Sequence, residues 1–166
     1  MNPVAESGED HGVKTYELQT EVRIPGTLDR VFSFFADAGN LELLTPPWLS
    51  FRILTPRPIA MRVGVLIDYR ISMRGLPMRW RSEITAWEPP YRFVDEQRRG
   101  PYRLWVHEHS FRQDGSVVVV GDHVRYAVPG GPGLERLVHA ALVRPDLHRI
   151  FRYRVDAMNR LLPAAA

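Results

Sequence analysis

The 166-residue sequence lacks cysteine altogether and has almost no lysine, Lys14 being the only one. The absence of cysteine excludes disulfide bonds, thiolate metal sites and cysteine nucleophiles. No apolar run approaches the roughly 18 residues that a membrane-spanning helix needs, so we expect no stable insertion into a membrane. Because lysine is so scarce, arginine carries almost all of the positive charge in a net charge of +3.

A basic balance can indicate nucleic-acid binding, but here the arginines are spread among acidic and apolar residues. The sequence has no block of five or six like charges and no nucleic-acid-binding motif, which predicts no nucleic-acid partner. Residues 1–14, MNPVAESGEDHGVK, have neither the basic start nor the apolar stretch of a secretion signal. We therefore expect a disordered tail over 1–14, one domain over 15–162, and a cytoplasmic monomer or homodimer.

Alternation of residue type and frequent turn residues predict that most of the chain forms β-strands. A first strand at 15–24 ends at Pro25-Gly26, and helical spacing then favours two short helices between Leu28 and Leu44. Tight turns separate the later strands and predict an antiparallel meander. The strands expected after the helices are 49–55, 65–73, 76–88, 91–99, 102–112 and 116–127.

Residues 134–162 have helical character throughout. Pro145 either kinks this helix or starts a second one. An apolar stripe predicts the face that packs on the sheet, and it comprises Leu147, Phe151, Val155, Met158 and Leu162. A basic helix can lie on an anionic membrane, but a stripe buried in the domain leaves no apolar face for lipid. The arginines of this segment are at 144, 149, 152, 154 and 160.

Turn signals also predict how neighbouring strands pair. Asp114-Gly115 favours a two-residue hairpin, which places His107 opposite Asp122 and His109 opposite Val120. Side chains alternate between the two faces of a strand, so these residues share one face of the sheet with Trp105 and Phe111. That face is the more apolar one and is expected to point inward.

Arg74-Gly75 favours a second hairpin, with Tyr69 opposite Trp80 on the inward face. Trp87 falls on the outer face unless a β-bulge turns it inward. In the strand at 91–99 the best fit of apolar positions turns four side chains inward, namely Tyr91, Phe93, Asp95 and Gln97.

The inward-facing set is too polar for a dry core. Burying such groups without partners costs about 1–3 kcal/mol each. They must therefore either hydrogen-bond to one another or line a wet cavity of ligand size. The set comprises Tyr69, Trp80, Ser82, Phe93, Asp95, Gln97, Trp105, His107, His109, Phe111, Asp122 and Tyr126.

Three segments resemble the START/Bet v 1-like (SRPBCC) superfamily, in particular its bacterial polyketide cyclase/dehydrase-like and coenzyme-Q-binding-like members. They are IPGTLDRVFSFFADAGNLELLTP, ITAWEPPYRFVDEQRRGPYRLWVHEHSF and DHVRYAVPGGPG. The resemblance covers about 15–162 and implies an α+β helix-grip fold, in which a curved antiparallel sheet of about seven strands wraps around the C-terminal helix. It also implies a cavity between sheet and helix for a hydrophobic or amphipathic molecule, with the loops at 56–64 and 129–133 beside its entrance.

Three interpretations of the polar residues remain. His107, His109 and Asp122 could hold a metal ion, but two histidines on one strand without a recognised metal motif are a weak signal, so we predict no metal and no cofactor. Catalysis is a second alternative, in which His107, Asp122 and Asp95 perform the acid–base chemistry of a cyclase or dehydratase. A structural module with a filled core is a third, which a cavity below about 100 Å³ would favour.

The leading prediction is binding or transport of a hydrophobic or amphipathic small molecule. Aromatic walls with a few oriented polar groups are typical of small-molecule pockets. The predicted binding residues, besides the three that catalysis would use, are Tyr69, Trp80, Ser82, Phe93, Gln97, Trp105, His109, Phe111, Tyr126, Phe151 and Val155.

Overall fold

Eight antiparallel strands form one sheet in the computed structural model, which describes residues 6–10, 13–131 and 133–163. The strand order is β1-β2-β8-β7-β6-β5-β4-β3. Strands β2–β8 correspond to the seven expected from the sequence, and β1 is an additional one. The bounds are β1 Glu6–Asp10, β2 Val13–Pro25, β3 Arg52–Ile53, β4 Leu66–Met73, β5 Leu76–Glu88, β6 Arg92–Arg99, β7 Leu104–Asp114 and β8 Val117–Ala127.

Strand β1 lies in the segment that the sequence predicts to be a disordered tail. In the structure, Glu6–Asp10 pairs with β2. The sequence ESGED has no alternation of apolar residues, which is why pattern alone could not find this strand. Residues 1–5 and 11–12 of the expected tail lie outside the described residues.

Helices occupy two parts of the chain, as predicted. The Thr27 side chain accepts a hydrogen bond from the Arg30 amide and so caps the first helix. None of the described helices combines the length and apolar character needed to cross a bilayer. The bounds are α1 Leu28–Ala36, α2 Leu41–Leu44, α3 Leu134–Val138 and α4 Arg144–Leu161, with a π-helical turn at His139–Val143 between α3 and α4. With these helices in place, the predicted α+β helix-grip fold is confirmed.

The proline in the C-terminal region starts a helix. Pro145 lies in the first turn of α4, where its missing N–H leaves no hydrogen bond unmade. Four residues of the predicted apolar stripe are buried, namely Leu147, Phe151, Met158 and Leu162. Val155 is only partly buried, because Arg154 takes the inward position instead.

One hairpin register is confirmed and the other is wrong. Tyr69 pairs with Trp80, as the Arg74-Gly75 turn predicts. In the β7–β8 hairpin, however, Gly115 has φ of +61° and forms the turn together with Ser116, so that Asp114 pairs with Val117. The Asp114 carboxylate accepts a hydrogen bond from Arg23 at 2.8 Å, which holds this residue within β7.

The hairpin register moves every partner along by two positions. His109 is therefore opposite Asp122, and His107 is opposite Val124. A shift of two residues preserves the face on which a side chain lies. Both histidines still point inward, and each is less than a tenth exposed.

The ends of strands account for the remaining differences. Tyr91, predicted to face inward, is 62% exposed because it lies in the turn before β6, where its amide donates to the Glu88 carbonyl. A β-bulge between Ile84 and Ala86 turns Trp87 inward, as the alternative prediction required. Its ring lies 5.4 Å from that of Phe32 between centroids. The strand expected at 49–55 is reduced to β3, since a 3₁₀ turn occupies Pro47–Leu49.

Candidate functional site

A cavity of about 190 Å³ lies between the sheet and α4. This volume is above the 100 Å³ limit below which a filled core would be favoured. Its wall is mostly apolar, with contributions from β4–β7, from α1 and α2, and from α4. Met61, in the loop predicted to flank the entrance, also lines the cavity, whereas the described residues of the 129–133 loop do not.

Most of the predicted site residues line this cavity. Side chains alternate between the two faces of a strand, and on four strands these residues lie on the inward face. Residues from distant parts of the sequence therefore come together there. Those lining it are Tyr69, Trp80, Ser82, Phe93, Asp95, Trp105, His107, His109 and Phe151. Apart from Phe151, sequence reasoning missed the helical part of the wall, which includes Phe34, Phe35, Leu44 and Arg154.

Five predicted residues do not line the cavity. The side-chain amide of Gln97 donates to the Tyr102 carbonyl at 2.7 Å, and the Tyr126 hydroxyl is hydrogen-bonded to His139 at 2.9 Å. The other three are Phe111, Val155 and Asp122. Phe111 packs in a core cluster beneath α1, and Val155 lies at the edge of the same cluster. Asp122 is 2% exposed and contacts both histidines.

Five ionisable side chains form a polar cluster at one wall of the cavity, which we call the His–Asp cluster. It consists of Asp95 on β6, His107 and His109 on β7, Asp122 on β8, and Arg154 on α4. Asp122 Oδ1 lies 2.9 Å from His107 Nε2 and 2.9 Å from His109 Nδ1. Arg154 Nε donates to Asp122 Oδ2 at 3.2 Å.

The Asp95 carboxylate lies on the opposite side of the two imidazoles from Asp122. Its Oδ2 atom is 3.3 Å from His109 Nε2 and 3.7 Å from His107 Nδ1. Its Oδ1 atom accepts a hydrogen bond from the Ser82 hydroxyl at 3.1 Å. That hydroxyl in turn accepts from the Trp80 indole N–H at 3.1 Å and contacts the Tyr69 hydroxyl at 2.9 Å. Polar groups that the sequence predicted to need partners thus find them in one another.

Burial and charge act against each other on the pKa values of the cluster. Burial, together with the neighbouring His109, lowers the pKa of His107 to about 4, although Asp122 opposes this shift. Burial also acts to lower the pKa of His109, but contacts with Asp122 and Asp95 outweigh it and raise that pKa above the ordinary value. His107 is therefore uncharged at neutral pH.

The two carboxylates respond in the opposite sense. Burial acts to raise the pKa of Asp122, but the Arg154 guanidinium and both imidazoles outweigh it and hold the pKa well below its usual range. Burial likewise acts to raise the pKa of Asp95, and the two histidines reverse that shift, so this pKa is lowered as well. Both carboxylates are therefore ionised at neutral pH.

Arg154 is the member of the cluster that sequence reasoning missed. The sequence places it among the arginines of a basic C-terminal helix, yet it is only 6% exposed. The available signal was its spacing: Leu147, Phe151, Arg154 and Met158 follow one another at intervals of four, three and four residues, which is the inward stripe of a helix. An arginine in such a stripe indicates a buried acidic partner.

The family profile described as polyketide cyclase/dehydrase and lipid transport matches residues 24–158, most of the chain. The chain belongs to this family. The resemblance to the START/Bet v 1-like superfamily predicted from the sequence is thereby confirmed. A search among curated proteins finds no match to this polyketide cyclase/dehydrase family member.

Solved structures share the fold of this polyketide cyclase/dehydrase family member at low sequence identity. Protein Ms6760 from Mycobacterium smegmatis is 16% identical, with a TM-score of 0.62, over 96% of this chain and 98% of that one. A point mutant of norcoclaurine synthase from Thalictrum flavum, in complex with a transition-state analogue, is 14% identical, with a TM-score of 0.65, over 89% and 94%.

An aromatase/cyclase also has this fold. BexL, a di-domain ARO/CYC of the BE-7585A biosynthetic pathway, is 18% identical, with a TM-score of 0.67, over 92% of this chain. The match covers 51% of BexL. At these identities the likeness shows a common fold and leaves the function to be argued from the site.

Proposed function

We propose that this protein binds a small, mainly apolar molecule that carries one or two oxygen atoms, in the cavity between the sheet and α4. The observation that carries the proposal is the combination of an apolar wall with one polar wall, formed by the His–Asp cluster. Small-molecule sites usually consist of hydrophobic and aromatic side chains with a few oriented polar groups. The family description, which includes lipid transport, supports this class of ligand.

The cavity volume favours a ligand of one or two rings. Drug-sized ligands usually occupy about 300–1,000 Å³, whereas a closed apolar cavity of about 150 Å³ can hold benzene. At about 190 Å³ the present cavity is closer to the second case. Trp80 and Trp105 would contact the rings, and Asp95 or His109 would contact an oxygen atom at the polar wall.

Naphthol is a suitable first probe, because it combines two fused rings with one hydroxyl group. We expect one molecule to bind per chain in calorimetry, with quenching of the fluorescence of Trp80 and Trp105. Ala38→Leu should raise the dissociation constant for naphthol by about tenfold or more, since Ala38 lines the cavity and leucine takes up space that a ring would fill.

The matched control is Ala141→Leu, which adds the same atoms at an exposed position. Its affinity should equal that of the parent protein. All titrations use protein treated with a chelator, so that the result depends on the cavity alone. Equal affinity in Ala38→Leu and Ala141→Leu would contradict binding in this cavity.

A cyclase or dehydratase activity is the second candidate. The observation in its favour is that Asp95, His107 and His109 line the cavity rather than the protein surface. Cyclisation of a poly-β-ketone removes a proton from a carbon between two carbonyls and joins that carbon to another carbonyl, whose oxygen later leaves as water. A base and an acid beside the substrate would assist both steps. Asp122 would then act by positioning the imidazoles.

The two candidates differ in what His107→Asn does. Incubation with an acyclic poly-β-ketone thioester, followed by mass spectrometry, should show loss of water only if the protein is an enzyme. In that case His107→Asn should lower turnover by about 100-fold or more and leave naphthol affinity within about threefold. If the parent protein forms no dehydrated product above the rate without protein, the enzymatic candidate is wrong and the binding proposal stands.

A further inference from the structure

We propose that Asp95, His107 and His109 bind one divalent transition-metal ion, and that Zn²⁺ fits the site best. The inference goes beyond the proposed ligand binding, because it assigns an inorganic partner to the polar wall of the cavity. It also reverses the prediction from sequence, which considered Asp122 as the third ligand and found the signal too weak. The structure places Asp95 in that position instead.

The distances from Asp95 to the two histidines are close to those of a tetrahedral ion. Asp95 Oδ2 lies 3.3 Å from His109 Nε2 and 3.7 Å from His107 Nδ1. One ligand atom from each of the three residues lies within 4.8 Å of the others. Zinc binds nitrogen and carboxylate oxygen at about 2.0–2.1 Å, which places two ligands of a tetrahedral site about 3.3–3.4 Å apart. Asp95 therefore already lies at a suitable distance from both histidines, and the histidine nitrogens are within 4.8 Å of each other.

The outer nitrogens of both imidazoles are held by Asp122. His107 Nε2 is hydrogen-bonded to Asp122 Oδ1 at 2.9 Å, and His109 Nδ1 lies 2.9 Å from the same oxygen. A carboxylate at this distance favours a proton on the facing nitrogen, which leaves the other nitrogen of each ring free to bind a metal. Histidine ligands commonly donate their second N–H to a carboxylate in this way.

The remaining neighbours orient these ligands. Asp95 Oδ1 accepts from Ser82, so the carboxylate is oriented with Oδ2 toward the histidines. Arg154 Nε donates to Asp122 Oδ2 at 3.2 Å and so holds the carboxylate that faces both imidazoles. Arg154 Nη2 is 3.4 Å from His109 Nδ1, a longer contact than the 2.9 Å between that nitrogen and Asp122 Oδ1. Asp95 is thus supported by Ser82 and both histidines by Asp122, as is usual for metal ligands.

Charge and access also favour a cation. Apart from the two imidazoles, the buried cluster has two carboxylates and only one guanidinium. Asp95, His107 and His109 all line the cavity, so a fourth position on the ion would face the space available to a ligand. Three protein ligands with one open position are the arrangement of catalytic zinc sites, whereas structural sites have four protein ligands.

The direct test is titration of the untagged, chelator-treated full chain with Zn²⁺ by calorimetry. We expect one ion per chain. Asp95→Asn, which preserves shape, and His107→Gln should weaken binding by more than about 100-fold, since loss of a supporting contact alone usually costs about 10–100-fold. Ser82→Ala should fall in that lower range. Two control variants should bind Zn²⁺ with the affinity of the parent protein. Asp68→Asn lies on the outer face of β4, where Asp68 pairs with Arg81, and His123→Gln lies on the outer face of β8.

Cobalt provides a readout that does not depend on variants folding well. Co²⁺ in a tetrahedral site absorbs visible light far more strongly than octahedral Co²⁺, so the parent protein should turn intensely blue and lose this colour on addition of Zn²⁺. Absence of one-to-one Zn²⁺ binding by the parent protein would overturn the proposal, as would equal binding by Asp95→Asn and Asp68→Asn. Naphthol titration of chelator-treated protein tests the cavity separately, so failure of either proposal is recognisable.

Discussion

Replacing Arg154 with methionine is expected to lower the free energy of unfolding by about 3–5 kcal/mol. The change removes the guanidinium that donates to Asp122 at 3.2 Å. The Asp122 carboxylate, 2% exposed, would then be a buried charge without its cationic partner. Methionine has a similar length and no branch, so it replaces most of the packing of the arginine stem and isolates the effect of the charge.

Urea unfolding monitored by far-ultraviolet circular dichroism measures this loss. Arg152→Met is the matched control, because Arg152 is exposed two positions away on the same helix. It should change the free energy of unfolding by no more than about 0.5 kcal/mol. Arg154→Lys retains a charge but not the planar fork, and it should recover only part of the loss. Equal stability of Arg154→Met and Arg152→Met would show that Asp122 does not depend on Arg154.

Phe111→Ala is expected to destabilise the protein by a similar amount, about 3–5 kcal/mol. The Phe111 ring is 3% exposed and lies 5.0 Å from the Phe35 ring and 5.3 Å from the Phe32 ring, between centroids. Its removal leaves a void that the two neighbouring rings cannot easily fill. Tyr91→Ala, at a position 62% exposed, is the control and should cost no more than about 0.5 kcal/mol.

The same variant tests whether Phe111 belongs to the core or to the ligand site. The sequence predicts Phe111 to be a ligand-binding residue, whereas in the structure it lies outside the cavity lining. Below the unfolding transition, Phe111→Ala should therefore bind naphthol with the affinity of the parent protein. A loss of affinity of about tenfold would instead support the assignment from the sequence.

The sequence predicts which side chains face inward better than it predicts which of them touch. Period-two alternation places His107 and His109 on the same face of β7. Asp122 shares that face even if the predicted pairing of β7 with β8 is wrong, as long as it is wrong by an even number of residues. The hairpin error was of that kind, because the turn formed at Gly115-Ser116 instead of Asp114-Gly115. Contacts, however, changed: Asp122 came to face His109 as well as contacting His107.

The size of the cavity and the partner of Arg154 could not be obtained from the sequence pattern. Whether aromatic side chains fill a space depends on their rotamers and on the distance between sheet and helix, and neither is encoded in alternation. The helical spacing of Arg154 places it on the inward face, but only the structure shows that its acidic partner is Asp122. Similarly, the sequence predicts that Asp95 and Asp122 both face inward. Only the structure shows that Asp95 lines the cavity, whereas Asp122 lies behind the histidines.

The shortness of β3 has a consequence for self-association. A sheet edge with many unpaired amides and carbonyls is a template on which another chain can add a strand, and this is a common route to aggregation. Here the edge strand has only two residues, Arg52 and Ile53, and the chain turns aside after Leu54 and Thr55 both donate to the Asp68 carbonyl. An incoming strand would meet little free backbone on β3 and the exposed charge of Arg52, so β3 itself is a poor template for strand addition.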